Sequence, residues 1–375
     1  MSQTSHHFEE GGLRGRRSSP YPYDWNQPDE ALLSCRKPIQ FQDETLRDGL
    51  QCPSVVDPPI QGKLEILHLM AKLGIHGADV GLPGAGARAA ADVTRIVEEI
   101  RNHRLDVKPS CAGRTLKVDI DPIAEISDET GVLLEADLFL GSSPVRQYAE
   151  GWELDQQLRI VDDAVSYAVK RGLEVMFVTE DTIRSHPETL RRLYTTAIEC
   201  GAIRICLCDT VGHATPEGVR ALVRFAREIV KECGANVAID WHGHRDRGLD
   251  VANTLAAVEA GADRIHGTAL GIGERVGNTP MEHILLNLRL SEVIKNDLTY
   301  LPDYVEAVHR HCQVPLPENW PGLGRDSFRV VSGDRQRLIH DALERGRLEL
   351  AEALFSSVPP SLVGRCLQVA RETRV

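Results

Sequence analysis

No stretch of about 18 consecutive apolar residues occurs in this chain of 375 residues, so no membrane-crossing helix is expected. A basic surplus is missing too. The formal net charge is −12, and no basic stripe of the kind that tracks nucleic acid is visible. The short basic run Gly15-Arg16-Arg17 lies in a polar tail. The first twenty residues have no apolar stretch after their basic residues, so no secretory signal is expected. The nine cysteines have no partner motif for redox or metal chemistry, which leaves reduced thiols in the cytoplasm as the expectation. Nor is there a dinucleotide fingerprint. The first strand candidate is followed by Leu46-Arg47-Asp48-Gly49-Leu50-Gln51, not by GxGxxG.

What is present is a rhythm. Residues 1–36 are poor in apolar side chains and read as a flexible N-terminal arm, with Tyr21, Tyr23 and Trp25 placed to pack on the domain surface. From residue 37, short apolar runs alternate with longer amphipathic ones. Strand candidates fall at 38–43, 76–82, 105–111, 136–141, 173–180, 203–209, 236–242 and 263–269. Between them lie helical patterns such as 216–234, where Val219, Leu222, Val223, Ala226, Ile229 and Val230 share one face. Gly74, Gly172, Gly201, Gly234 and Gly261 each stand where a helix should stop before a strand. Eight strand–helix units in about 250 residues predict an α/β chain whose residues 37–290 close into a (β/α)8 TIM barrel. A doubly wound open sheet is the weaker alternative. Cys206 and Cys208 alternate on the sixth strand and are expected in the barrel core. Residues 291–375 lose the rhythm. They read as a linker, with the Pro/Gly run at 315–324, and a small C-terminal helical subdomain.

In such a barrel the chemistry gathers at the C-terminal ends of the strands. Acids, imidazoles and arginines collect there: Asp43, Arg47 and Asp48 after the first strand, Ser142 and Arg146 after the fourth, Glu180 and Asp181 after the fifth. Asp209 and Thr210 follow the sixth, His242 and His244 end the seventh, and Glu274 and Asn278 follow the eighth. Residues i and i+2 of a strand face the same way, so His242 and His244 are able to reach one metal ion. Two imidazoles and a carboxylate leave positions open for substrate. A lone HxH is weak evidence, and the acids at the other strand ends give it weight. Asp43 and Asp48 compete for the carboxylate role, and Asn278 offers an amide oxygen. Oxygen-rich ligation favours Mg2+ or Mn2+, while the imidazoles also suit Zn2+. Arg47, beside that carboxylate, is placed to stabilise a developing oxyanion.

The motifs DETLRDGLQ (43–51), HGHRDRGLDVANTLAAVEAGADRIHGT (242–268) and GIGERVGN (271–278) resemble the 2-isopropylmalate synthase and homocitrate synthase family. That family belongs to the metal-dependent TIM-barrel superfamily that includes HMG-CoA lyase. EDTIRSHPETL (180–190) and DTVGHATPEGV (209–219) fit the same pattern. The resemblance implies that Asp48, His242, His244 and Asn278 ligate the metal and that Arg47 is the catalytic arginine. It implies that Glu180 and Thr210 line a 2-oxo acid pocket, and it leaves Asp43 as a supporting acid. The implied activity is an acyl transfer in amino-acid biosynthesis. Acetyl-CoA condenses with a 2-oxo acid in a Claisen-type reaction, and water then cleaves the thioester. A homodimer is implied as well. No segment resembles the regulatory domain of feedback-inhibited members, so amino-acid feedback is not expected.

Departures from the family pattern sharpen the question. Arg245 replaces an asparagine after the second histidine. Leu50 resembles the lyase branch, whereas the Glu274-bearing loop resembles the synthases. Arg335 stands where a histidine from the C-terminal subdomain is expected, which turns attention to Glu180, His340 or His309 as the proton acceptor. Arg146 is placed to pair with a second substrate carboxylate, favouring a dicarboxylic 2-oxo acid. Two rivals follow: an HMG-CoA lyase-like carbon–carbon lyase, and a barrel that binds ligand without turnover.

Overall fold

Side chains on a strand alternate between two faces, and here both faces have a use. In the computed structural model, which describes residues 38–369, eight parallel strands close into a barrel in chain order, with the first hydrogen-bonded to the last. They are β1 (Gln40–Asp43), β2 (Gly77–Asp79), β3 (Lys108–Arg114), β4 (Glu135–Gly141), β5 (Glu174–Glu180), β6 (Arg204–Asp209), β7 (Ala238–Gly243) and β8 (Arg264–Gly267). Around them run α1 (Ile60–Lys72), α2 (Ala87–His103), α3 (Lys117–Thr130), α4 (Pro144–Glu150), α5 (Leu154–Lys170), α6 (Pro187–Glu199), α7 (Pro216–Glu232), α8 (Asp250–Ala260) and α9 (Met281–Leu290). All eight strand candidates correspond to barrel strands. The five glycines read as helix stops all carry positive φ, from 64° to 101°. The expected arm, with Tyr21, Tyr23 and Trp25, lies outside the described residues.

One set of strand side chains faces the helices and is apolar: Phe41, Ala78, Ala136, Leu138, Val175, Phe177, Ile205, Leu207, Ile239, Trp241 and Ile265 all join the main core. Full burial of each large member is worth roughly 1.5–3 kcal/mol. The other set faces the barrel axis and is largely polar. Arg264 of β8 reaches Asp240 of β7 at 2.5 Å and Glu135 of β4 at 2.5 Å. Strands four positions apart in the ring meet this way only through its middle. Cys206 and Cys208 also point inward, against Met176 and Val178, as expected of barrel core. The eight cysteines of the described residues are all free. No described helix is long and apolar enough to cross a membrane.

Packing continues past the expected boundary at 290. Helix α10 (Leu301–Cys312) lays Leu301, Tyr304, Val305, Val308 and Cys312 into the main core, which also takes in Leu323 and Phe328. A separate small cluster forms only beyond, from Val330, Ile339, Ala342 and Ala351. It joins α11 (Gly333–Glu344) and α12 (Leu348–Ala353) to a two-stranded parallel sheet of β9 (Arg329–Val330) and β10 (Gln368–Val369). This C-terminal cluster includes strand as well as helix. The apolar residues of α10 share a helical face that a barrel helix also needs covered, and sequence periodicity does not say which partner that face will choose.

The Pro/Gly run is pinned to the barrel by Trp320. Its indole N–H donates to Glu282 at 2.9 Å, its ring stacks on His283 with centroids 4.9 Å apart, and the Arg245 guanidinium lies 5.7 Å from the ring centroid. Glu282 is fully buried, and burial pushes its carboxyl up to about 7. Its folded-state value exceeds the unfolded one. Its contribution to stability is therefore present in acid and lost as pH rises through about 7. Glu282→Gln, which removes the ionisable group, should gain on the wild type in melting temperature between pH 5 and pH 9. A difference that stays constant over that range would show that Glu282 does not titrate there.

Candidate active site

Strand parity separates the two acids that compete after β1. Gln42 and Glu44 point into the barrel, where Gln42 donates to Ser110 of β3 at 2.7 Å and Glu44 meets His266 of β8 at 2.8 Å. Asp43, between them, points outward. It accepts from the Thr45 amide at 2.8 Å and from the hydroxyl of Tyr304 on α10. Asp48 lies in the following turn and comes to the mouth.

There it meets the histidines. Oδ2 of Asp48 lies 3.8 Å from Nε2 of His242 and 3.6 Å from Nε2 of His244, and the two Nε2 atoms are 3.4 Å apart. The Asn278 amide donates to Asp48 at 2.6 Å. All four residues are buried. A triangle with those edges has its centre roughly 2.1 Å from each corner, the bond length of Mg2+–O or Zn2+–N. Asn278 Oδ1 is buried without a hydrogen-bond partner. Such a vacancy costs about 1–3 kcal/mol unless something answers it. Burial holds His242 down to about 3 and also lowers His244, so both rings are neutral near pH 7. Burial opposes the charge on Asp48, but Arg47 and the two histidines outweigh it and keep the carboxylate below its usual range. The donor set suits a divalent cation with imidazole and oxygen ligands.

Asn278 reaches this place because its loop folds tightly. His244 and Asn278 form an isolated antiparallel bridge. A Cβ on Gly277, at φ 102°, would lie 1.8 Å from the Gly271 carbonyl oxygen, so no other residue fits. Arg275 clamps the loop across the mouth. It holds Asp246 at 2.8 and 2.9 Å and donates to the Thr210 carbonyl at 2.7 Å.

Arg47 is gripped on three sides. Its Nε donates to Asp79 at 2.7 Å, one Nη lies 3.2 Å from Asp48, and the other contacts Glu44. Burial works against its charge, but Glu44, Asp79 and Asp48 raise its pKa further. Sequence reading missed this support. Glu44 passes through His266 to Asp240, which His266 meets at 2.9 Å, and from there to Arg264. The signal was the alternation itself. Asp240, His242, Arg264 and His266 occupy the same inward set, but which of them touch depends on strands far apart in sequence. Glu44, His242 and His266 also offer ligand atoms close together. Both nitrogens of His266 already face carboxylates, so the Asp48 cluster is the better metal site.

The remaining candidates spread along the rim. Thr210 accepts from the Asp181 amide at 2.8 Å. Glu180 is ion-paired with Arg146 at 2.6 Å, and Arg146 also reaches Glu150 at 3.0 Å. Burial raises the pKa of Glu180, partly offset by Arg146. Glu274 is exposed and paired with Arg275 at 3.3 Å. Of the alternative proton acceptors, His309 hydrogen-bonds the Val314 carbonyl and exposed His340 pairs with Glu344 at 3.0 Å. These contacts place neither with the strand-end cluster. Arg335 is exposed on α11. Arg245 lies over the ring of Trp320.

Comparison with known proteins gives the family to which the chain belongs. The HMGL-like family matches residues 38–308. Homocitrate synthase AksA of Methanopyrus kandleri is 36% identical over 82% of this chain and 72% of its own length. The 2-isopropylmalate synthase of Lactococcus lactis subsp. cremoris is 31% identical over 87% of this chain, which spans 62% of that relative. Among solved structures, HMG-CoA lyase of Bacillus subtilis superposes with a TM-score of 0.61 at 20% identity, covering 75% of this chain and 96% of its own. At that identity the likeness concerns the fold.

Asp48→Asn and His242→Gln should each weaken Mn2+ binding at least tenfold in calorimetry without substrate. Asp43→Asn should leave it unchanged while lowering the melting temperature. Loss of the ion in Asp43→Asn at an unaltered melting temperature would reverse the assignment.

Proposed function

As this chain belongs to the HMGL-like family, we propose that it is an acyltransferase that condenses acetyl-CoA with a 2-oxo acid. The methyl carbon of the acetyl group bonds to the keto carbon, and water then cleaves the thioester to release CoA. The observation that carries this reading is the set of four buried groups, Asp48, His242, His244 and Asn278, gathered beside Arg47 at the barrel mouth. These four residues would hold the ion. A divalent cation there, Mg2+ or Mn2+, with Zn2+ also accommodated, supplies Lewis acidity for the keto oxygen. The two synthase relatives support this choice over the lyase alternative.

The chain's own groups divide the remaining work. Arg47 is fixed by three carboxylates before substrate arrives, so its charge meets a developing oxyanion without reorganisation. A preorganised donor of this kind typically contributes 10²–10³ in rate. Glu180 accepts the proton from the acetyl methyl group. It is the alternative acceptor that stands at a strand end, and its raised pKa suits a general base. Thr210 and Glu274 border the substrate from the loops after β6 and β8. Arg146 selects a dicarboxylic 2-oxo acid by exchanging its ion pair with Glu150 for the distal carboxylate of the substrate. The assembly is a homodimer, a reading supported by the exposed Val331, Leu338, Leu343 and Leu348 of the C-terminal part.

Thiol release from acetyl-CoA should appear with Mg2+ or Mn2+ and at least one member of a panel of 2-oxo acids. Silence across the panel, with acetyl-CoA formed from a 3-hydroxy-3-methyl acyl-CoA, would instead make the protein a lyase. Arg146→Met should raise KM for 2-oxoglutarate or oxaloacetate at least tenfold and leave KM for a monocarboxylic 2-oxo acid unchanged, while kcat shifts alike for both through the lost pair with Glu180. Equal effects on both classes would remove the specificity role.

A further inference from the structure

A second group of metal-capable side chains lies on the outer helices, away from the mouth. His68 on α1, with Glu99 and His103 on α2, offers three ligand atoms within 4.8 Å of one another. Nε2 of His68 lies 2.9 Å from Oε1 of Glu99, and Nε2 of His103 lies 3.1 Å from the same oxygen. Glu99 and His103 are four residues apart and so share one helix face. His68 meets them from the neighbouring helix. The two rings stand edge to face with centroids 5.2 Å apart.

Several features make this more than a pair of surface hydrogen bonds. Separations near 3 Å are those of adjacent ligands on an ion with bonds of about 2.1 Å. Arg95 engages the other carboxylate oxygen of Glu99, at 3.5 Å, and leaves Oε1 to the histidines. The side chain of Glu99 is 11% exposed, whereas those of His68 and His103 are 35% and 56% exposed. The anchor is thus covered while solvent is free to complete a coordination shell. His103 is the last residue of α2, just ahead of β3, which puts the group toward the N-terminal face of the barrel. That face serves stability rather than catalysis in this architecture.

We infer that His68, Glu99 and His103 form a second divalent-cation site, for a transition metal of the Zn2+, Ni2+ or Co2+ class, that ties α1 to α2. Two imidazoles and one carboxylate favour such ions over Mg2+. An ion bound there stabilises the folded chain by linkage and takes no part in the reaction.

Zn2+ is the probe, added alone to the full-length protein in excess Mg2+, with uptake followed by equilibrium dialysis. The wild type should take up one equivalent more than H68Q/H103Q at micromolar free Zn2+. Its melting temperature should rise with Zn2+ by more than that of the variant, while turnover is the same in both. E99Q, with both histidines kept, should bind the extra equivalent at least tenfold more weakly. Equal uptake by the wild type and H68Q/H103Q overturns the proposal. So does loss of all tight Zn2+ binding in H242Q/H244Q while H68Q/H103Q binds like the wild type. Uptake in the first comparison is read without any assay of the reaction, so failure of the condensation reading does not touch it.

Discussion

Asp240 and Arg264 meet at 2.5 Å in the middle of the barrel, fully cut off from bulk solvent. A charge buried there is tolerated only when it is paired and its remaining donors and acceptors are used. From this pair the hydrogen bonds run two ways. One branch goes down to Glu135 and Arg204, the other up through His266 and Glu44 to Arg47. Removing one partner of a buried pair typically costs 3–5 kcal/mol, because the other is left uncompensated. The orientation of Arg47 at the mouth is therefore set from below. The reactive end of the barrel rests on an ionic column rather than on an apolar plug.

The same column explains how one small region holds groups of such different character. Burial lowers His242 to about 3 and raises Asp79 to about 7, although Glu44 acts on both. Asp137, also fully buried, is pushed well up by burial and then by Glu135. Near neutral pH the mouth thus presents neutral imidazoles, an ionised Asp48 and a permanent guanidinium. Backbone strain gathers at this rim too: Asp181, Leu270 and Arg275 have φ of 60°, 57° and 56°. Conformations of that kind cost on the order of 1–3 kcal/mol each and persist where neighbours over-determine them. Asp181 is held by Thr210 and Arg184, and Arg275 by Asp246.

Much of this was legible in the sequence because it depends on local period. The eight strands, the glycine stops, the inward cysteines and the shared direction of His242 and His244 all follow from alternation and helical spacing. What escaped depends on contacts between distant segments. Nothing local to Asp43 and Asp48 distinguishes them. The choice follows from the outward register of Asp43 and from Tyr304, 261 residues away. Family resemblance pointed to Asp48, and it is Asp48 that lies beside His242 and His244. The His266 relay escaped likewise, since its partners come from β1 and β7. The packing of α10 on the barrel was not legible either, because an amphipathic helix announces its apolar face but not the surface it will cover.

The packing of α10 bears on how the chain is shortened or recombined. Tyr304 supplies a hydroxyl to Asp43, which otherwise accepts from Thr45 and whose carboxyl burial already pushes up to about 6. A chimera joined at 290 would bring in a foreign helix beside α1 and leave Asp43 with a stranger opposite it. A seam placed after Phe328 keeps that tyrosine and the tryptophan clasp with the barrel they serve, so the natural unit of exchange ends nearly forty residues beyond the last barrel helix.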